Sequence, residues 1–224
     1  MRAIILAAGR GSRMGALTES RPKALVDVAG KPILEHLIRN ASEAGIHNFL
    51  INVGYLGEMI QDHFRDGSQL GVSIEYFESA GKGPESPLFE ARKYIEGYYF
   101  TCFCGDNILF PWQIELILGI HRERNADATF TIEEGESRKR VKVENGRIVG
   151  SSIDIQDPVL VYNMAMRRSF LDVLHERLVE HEDKAFAFAM DYLSKDYHLY
   201  IADIGPFINI NYLEDIAIAE QMLR

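Results

Sequence analysis

The run Ala3-Ile4-Ile5-Leu6-Ala7-Ala8 is apolar at every position. A strand with one wet face alternates apolar and polar residues. A run without alternation suits a strand covered on both faces, as in α/β proteins. The run empties into Gly9, Gly11 and Gly15, with Arg10, Ser12 and Arg13 between them. Such a loop lets backbone N–H groups approach an anion closely, because no Cβ blocks the way. The arginines add fixed positive charge with a fork geometry suited to phosphate. Arg21-Pro22-Lys23 follows, and Pro32 is placed to open a helix at its first turn. The pattern points to a polyphosphate. It is not the dinucleotide fingerprint, since Met14 stands where the third glycine belongs, and no Gly-Lys-Ser/Thr makes it a P-loop. A Gly-rich turn is also an ordinary strand-to-helix connection, so the glycines alone do not decide.

Strands and helices alternate along the rest of the chain, which predicts α/β architecture: a Rossmann-like three-layer α/β/α arrangement with a mostly parallel central sheet. Residues 32–44 carry one apolar stripe, Ile33, Leu34, Leu37, Ile38 and Ala41, and read as a helix. Strands are expected at 49–53, 72–77, 98–104, 128–132, 159–162 and 198–202. Helices are expected at 57–65, 87–95, 111–125, 168–181, 185–195 and 212–223. Asn145-Gly146 between β-prone runs predicts a hairpin, read as a small elaboration of the domain. The length suits one domain over residues 1–224, in two parts, 1–127 and 128–224 with the closing helix.

Residues 1–31 carry six Lys/Arg and two acids, a net +4 on a chain of net −9, which leaves −13 for the remainder. A small positive island on an acidic protein fits a small polyanion and argues against a nucleic-acid partner. No apolar run approaches the ~20 residues of a membrane span, and no signal-peptide pattern opens the chain. Cys102 and Cys104, the only cysteines, share a strand face too widely spaced for a relaxed disulfide. They read as a buried, reduced pair, which predicts a cytoplasmic protein. The seven histidines are scattered, without metal-ligand spacing. Association into a homo-oligomer stays open.

The segment Leu6-Ala7-Ala8-Gly9-x-Gly11-Ser12-Arg13-Met14, then Arg21-Pro22-Lys23-Ala24-Leu25, then Gly30-Lys31-Pro32-Ile33-Leu34 resembles the nucleotidyltransferase family that joins sugar 1-phosphates, and some other phosphorylated alcohols, to nucleoside triphosphates. The resemblance implies attack of a phosphate monoester on the α-phosphorus, with pyrophosphate leaving and Mg²⁺ as cofactor. Such a nucleophile is already mostly ionised near neutral pH, its second pKa being about 6. The site therefore needs positioning and charge neutralisation rather than a general base. By the same resemblance, residues 1–127 are the nucleotide-binding part and 128–224 the acceptor-binding part, with the hairpin on the acceptor side, and Leu6, Ala7, Ala8 and Gly9 face the base and ribose. Gly11, Ser12 and Arg13 hold the β- and γ-phosphates, and Arg13 stabilises the departing pyrophosphate. Lys23 reaches the α-phosphate and the incoming phosphate. Gly83, in the segment 82–92, falls where the family contacts the base. Pro84, Glu85 and Pro87 depart from the commoner form there, and relatives using cytidine nucleotides with phosphocholine or inositol phosphate vary similarly. The base and the acceptor stay open, as does the alternative of a catalytically weak nucleotide-binding regulatory module.

Asp106 follows a predicted buried strand, at the end where open α/β sheets bind ligands. A carboxylate there suits Mg²⁺, and equally could cap a turn. The family has a Gly-Asp at this point and a second Asp before its last helix. Asn209 takes the position of that second Asp, as it does in some uridylyltransferases of the family. An amide oxygen can ligate Mg²⁺ but brings no charge. Asn211, with Glu214 three residues on, reads as adjacent support, as a less favoured metal ligand, or as a helix cap. Asp203 in Asp203-Ile204-Gly205 is the less favoured alternative ligand.

Overall fold

The computed structural model describes residues 1–80, 86–133, 140–179 and 186–224. The chain forms two compact units, the first of residues 1–94, 102–114 and 207–224, the second of residues 95–101 and 115–206. These units cut across a linear division at 127/128, because the last eighteen residues fold with the N-terminal part.

Walking the first unit, β1 (Ala3–Leu6) leads into 3-10 turns over Ser12–Thr18 and Lys23–Leu25. β2 (Asp27–Val28) and β3 (Lys31–Pro32) make a small antiparallel ribbon, and α1 (Ile33–Glu43) follows. Pro32 has the fixed φ of proline but an extended ψ (−54°, 144°), so the helix starts one residue later than expected. All five residues of its apolar stripe are fully buried. Then come β4 (Asn48–Val53), α2 (Gly57–Phe64), β5 (Ser73–Glu78), α3 (Ser86–Ala91), β6 (Tyr99–Cys104) and β7 (Asn107–Ile108). Strands β5, β4 and β1 lie in that order and pair in parallel, with Ile5 opposite Ile51 and Ile51 opposite Tyr76. The last residues of β6 continue the order beside β1. Ile4, Ile5, Leu50 and Ile51 are fully buried, as an unalternating run requires.

The second unit holds most of α4 (Pro111–Glu123), then β8 (Ala128–Glu133), β9 (Arg140–Glu144), β10 (Arg147–Ser152), β11 (Val159–Arg167), α5 (Arg168–Val179), α6 (Phe186–Asp196) and β12 (Leu199–Ala202). The chain then returns to the first unit with β13 (Ile208–Asn209) and α7 (Leu213–Met222). Asn145 and Gly146 both take positive φ, 50° and 77°, and turn β9 back on β10 as expected. The sheet here is mixed, which corrects the expectation of a mostly parallel one. β11 runs antiparallel to β8, and β10 antiparallel to both β9 and β12; β12 is parallel to β8. Alternation of apolar runs reports that strands exist, not their direction. β11 also runs to Arg167 rather than to 162, because Met164, Ala165 and Met166 are buried against β8.

Asp191 on α6 ties that helix to β10 by accepting the Ser151 N–H at 2.6 Å and its hydroxyl at 2.7 Å. Gly150 makes room for this, since a Cβ there would stand 2.9 Å from the carboxylate. Cys102 is buried and Cys104 only partly so; neither is in a disulfide, and burial pushes the Cys102 thiol up. No helix among the described residues is long and apolar enough to cross a membrane.

His121 on α4 is buried beside Thr129, with Nδ1 3.3 Å from its hydroxyl and the Tyr99 ring 5.4 Å away. Burial, then the Arg167 charge, push its pKa down to about 4, against an opposing pull from Asp127. The folded pKa lies below the unfolded value near 6.5, so this contribution to stability is complete above pH 6.5. It is lost as pH falls toward 4, when the unfolded chain takes up the proton first, and amounts to at most about 3 kcal/mol. The difference in Tm between pH 7 and pH 4.5 should therefore shrink by about 5 °C in His121→Phe, as measured by scanning calorimetry.

Candidate active site

The end of β1 is clasped between two glycines. Ala7 N–H donates to the Asn52 carbonyl at 3.0 Å on one side, and Gly105 N–H donates to the Leu6 carbonyl at 2.9 Å on the other. A Cβ on Gly54 would stand 2.9 Å from both Cβ and the carbonyl oxygen of Ala8. One on Gly105 would stand 2.9 Å from the Ala7 Cβ and the Leu6 carbonyl oxygen. Three chain segments thus meet closer than any larger residue permits. Gly9, Arg10, Ser12 and Arg13 emerge exposed from this clasp, with Leu6, Ala8 and Gly11 partly buried and Ala7 buried.

Gly11 is left-handed (φ 67°) and begins the 3-10 turn, its carbonyl accepting the Thr18 hydroxyl at 2.9 Å. A Cβ there would meet the Cβ of Lys23 at 2.9 Å. The missing side chain is therefore the space in which the Lys23 stem lies. Lys23 is only 7% exposed. A buried ammonium needs partners, and Lys23 Nζ donates to Asp106 Oδ2 at 2.7 Å and to Asn211 Oδ1 at 3.2 Å. The same Asn211 oxygen accepts from Arg13 Nη2 at 2.7 Å, and Asn211 Nδ2 donates to Asn209 Oδ1 at 2.8 Å. The Arg13 guanidinium also lies over the Tyr212 ring, 5.3 Å from its centroid. Four of the sequence-predicted residues therefore form one connected set with Asn211 at its centre: Arg13, Lys23, Asp106 and Asn209.

The device that assembles the set is the pairing of β7 with β13. Asn107 stands opposite Asn209 and Ile108 opposite Ile208, and Ile210 N–H donates to the Asp106 carbonyl at 3.1 Å. Ile108, Ile208 and Ile210 press into an apolar cluster with Met14, Val26, Val28 and Ile33. Two-residue strands carry too little pattern to be seen in a sequence, so this pairing was not foreseen.

Asn211 does not cap the last helix. The Asp215 carboxylate does so by accepting the N–H groups of Asn211 and Tyr212, at 2.6 and 2.7 Å. Glu214 plays no part in this, and the Asn211 carboxamide is left to the site. Asp203 belongs to the second unit, where it is exposed and accepts the Gly205 N–H at 3.1 Å in a local turn; it does not join the set. Gly83 lies outside the described residues. Glu90 accepts from the hydroxyls of Ser79 and Ser86 and from the Ala80 N–H. Arg10 stacks over Tyr55, 5.0 Å from the ring centroid, and Arg21 pairs with Asp27 at 3.2 Å on the surface.

The donor chemistry suits a hard divalent cation. Among the described residues, Asp106 Oδ1 carries no protein hydrogen bond. Asn209 Oδ1 accepts one and keeps a second lone pair. No group of three or more His, Cys, Asp or Glu gathers among the described residues, so an ion here would share carboxylate, amide and non-protein oxygens.

The profile of the family described as "Nucleotidyl transferase" matches residues 2–143. The chain belongs to the nucleotidyl transferase family. It is 38% identical over 135 residues to the UTP–glucose-1-phosphate uridylyltransferase AglF of Haloferax volcanii, a match covering 60% of this chain and 54% of that protein. It is 41% identical over 108 residues to the N-acetylmuramate alpha-1-phosphate uridylyltransferase of Neisseria meningitidis, covering 47% of each. The chain spans about half the length of these two relatives. Its fold is that of UDP-glucose pyrophosphorylase solved with UDP-glucose, at a TM-score of 0.79 and 15% identity over 99% of this chain and 97% of the other. The residues of the set numbered up to 106 lie inside the family match, while Asn209 and Asn211 lie beyond it.

The glycine clasp predicts a contrast. Gly105→Ala forces a Cβ against a backbone oxygen and should cost about 1–3 kcal/mol. Gly119→Ala, in α4 with nothing within 4 Å of its Cβ, should leave Tm unchanged or raise it. Thermal melts of the two variants check this.

Proposed function

We propose that the protein transfers a nucleotidyl group from a nucleoside triphosphate to a sugar 1-phosphate, releasing pyrophosphate, with Mg²⁺ bound at Asp106 and Asn209. The observation that carries this reading is the Lys23 ammonium, mostly buried, 2.7 Å from Asp106 and sharing Asn211 with Arg13. The reaction forms a bond from an acceptor phosphate oxygen to the α-phosphorus and breaks the bond from that phosphorus to the β-phosphate. Both reactants are anions, so the barrier is chiefly one of bringing negative charge together.

In this reading the exposed loop Gly9–Arg13 receives the triphosphate, with Gly11 and Ser12 offering backbone N–H groups and Arg13 taking the leaving pyrophosphate. Lys23, a point charge on a flexible stem, exchanges Asn211 for phosphate oxygens and lies between donor and acceptor. The bound metal would neutralise phosphate charge and polarise the α-phosphoryl group. Asn211 holds both cations in place before substrate arrives, so little ordering is left to the moment of reaction. Leu6, Ala7 and Ala8 offer backbone toward the base. Uridine is the base we propose, because AglF and the Neisseria protein are named as uridylyltransferases, and both names specify a 1-phosphate of a sugar as acceptor.

A pyrophosphate-release panel of four nucleoside triphosphates against glucose 1-phosphate, N-acetylmuramate 1-phosphate, phosphocholine and inositol phosphate tests the reading. Release is expected with UTP and a sugar 1-phosphate. Release only with CTP and a non-sugar acceptor would replace it, and triphosphate binding without release in any pairing would make the chain a binding module.

With the active pair, Lys23→Ala should lower kcat by about a hundredfold or more while changing the KM for triphosphate far less. Arg13→Ala should damage both. An unchanged kcat for Lys23→Ala at saturating acceptor refutes the role given to it. In a magnesium titration of activity, Asp106→Asn and Asn209→Ala should raise the half-saturating concentration, and Asp203→Ala should not.

A further inference from the structure

The β7–β13 ribbon carries one residue that the reading above leaves unused. Asn107 is 1% exposed, and neither its Oδ1 nor its Nδ2 has a hydrogen-bond partner. Two other buried amides each keep at least one partner: Gln113 Oε1 accepts the Phe110 N–H at 2.9 Å, and Asn52 Nδ2 donates to the Phe77 carbonyl at 3.4 Å although its Oδ1 has no partner. A buried amide left without partners is destabilising, where a leucine of similar shape would pack without that cost. Such a group calls for something that fills its valences, an ordered water or an ion.

Its register shows what that is. Asn107 is the direct antiparallel partner of Asn209, and opposed residues of such a pair project to one face, with Cβ atoms about 5 Å apart. The neighbouring residues Ile108, Ile208 and Ile210 supply the apolar face. The amides Asn107 and Asn209 stand on the other, where Asn209 is joined to Asn211 and through it to Lys23 and Arg13. The residue before Asn107 is Asp106 itself.

We propose that Asn107 is a third oxygen donor of the cation site, its Oδ1 reaching the ion directly or through one of the ion's own waters. This rests on the cation reading of Asp106 and Asn209. With a single carboxylate in the set, an added neutral oxygen supplies coordination that a second carboxylate would otherwise provide. The Nδ2 end is then placed to donate to a phosphate oxygen or a water.

The test is Mn²⁺ binding to the full chain without nucleotide, followed by electron paramagnetic resonance, together with thermal melts with and without the ion. Asp106→Asn should weaken Mn²⁺ binding about tenfold or more; if it does not, the cation reading itself fails and this inference falls with it. Asn107→Leu should weaken Mn²⁺ binding to a similar extent while its ion-free Tm stays level or rises. Unchanged Mn²⁺ binding in Asn107→Leu, beside weakened binding in Asp106→Asn, overturns the assignment of Asn107 alone, and so does a lowered Tm with binding intact. Asn107→Asp decides the matter if the leucine variant does not fold: tighter Mn²⁺ binding than the parent supports an oxygen ligand, and equal or weaker binding overturns it.

Discussion

A lysine ammonium withdrawn from water is the constraint around which the first unit is arranged. Removing an ammonium from solvent costs several kcal/mol unless charge and hydrogen bonds replace the lost hydration. Lys23 finds them in Asp106 and Asn211, and each partner depends on a local exception to ordinary chain geometry. Gly11 has no side chain, so the Lys23 stem can lie against it. Gly105 has none, so Asp106 can follow a strand that touches the Leu6 carbonyl. Asn211 is available because Asp215 caps the last helix in its stead. Any one of these altered would leave a buried positive charge short of a partner.

The arrangement is balanced rather than locked. Asn211 offers one neutral oxygen to two cations, Arg13 and Lys23. A neutral acceptor holds a cation less firmly than an anion does, so a phosphate group competes well for both. The carboxylate at Asp106 sets Lys23 in position, and the amide at Asn211 leaves it free to be taken over.

How much of this could be read from the residues alone depends on whether a feature has a period or only a place. The unalternating run of β1, the stripe of α1 and the Asn145-Gly146 turn are periodic or local signals, and each appears where it was expected. Arg13, Lys23 and Asp106 sit in or directly after such signals, and hydrogen bonds with one another and with Asn211 bring them together. Strand direction carries no local signature, and the second unit is mixed where parallel strands were expected. The role of Asn211 was legible only as a choice between cap and support, because Asp215 and Glu214 offer the same kind of carboxylate one residue apart. The burial of Asn107 was not legible: an asparagine after a Gly-Asp turn reads as loop chemistry, and nothing in the sequence shows that it is buried opposite Asn209.

The pairing of β7 with β13 has a consequence for how the protein comes into being. Arg13 and Asn211 are 198 residues apart in the chain, and Lys23 and Asn211 are 188 apart. During synthesis Lys23 and Asp106 both emerge before Asn211, so the contacts that Asn211 makes to Arg13 and Lys23 are the last of the set to become available. Closure of so long a loop is entropically slow. Yet the chain leaves the ribbon at Ile108 and comes back opposite it at Ile208. The segment between them, which holds most of the second unit, therefore has adjoining ends, so a change in its length need not disturb the register of the short ribbon that carries the amides.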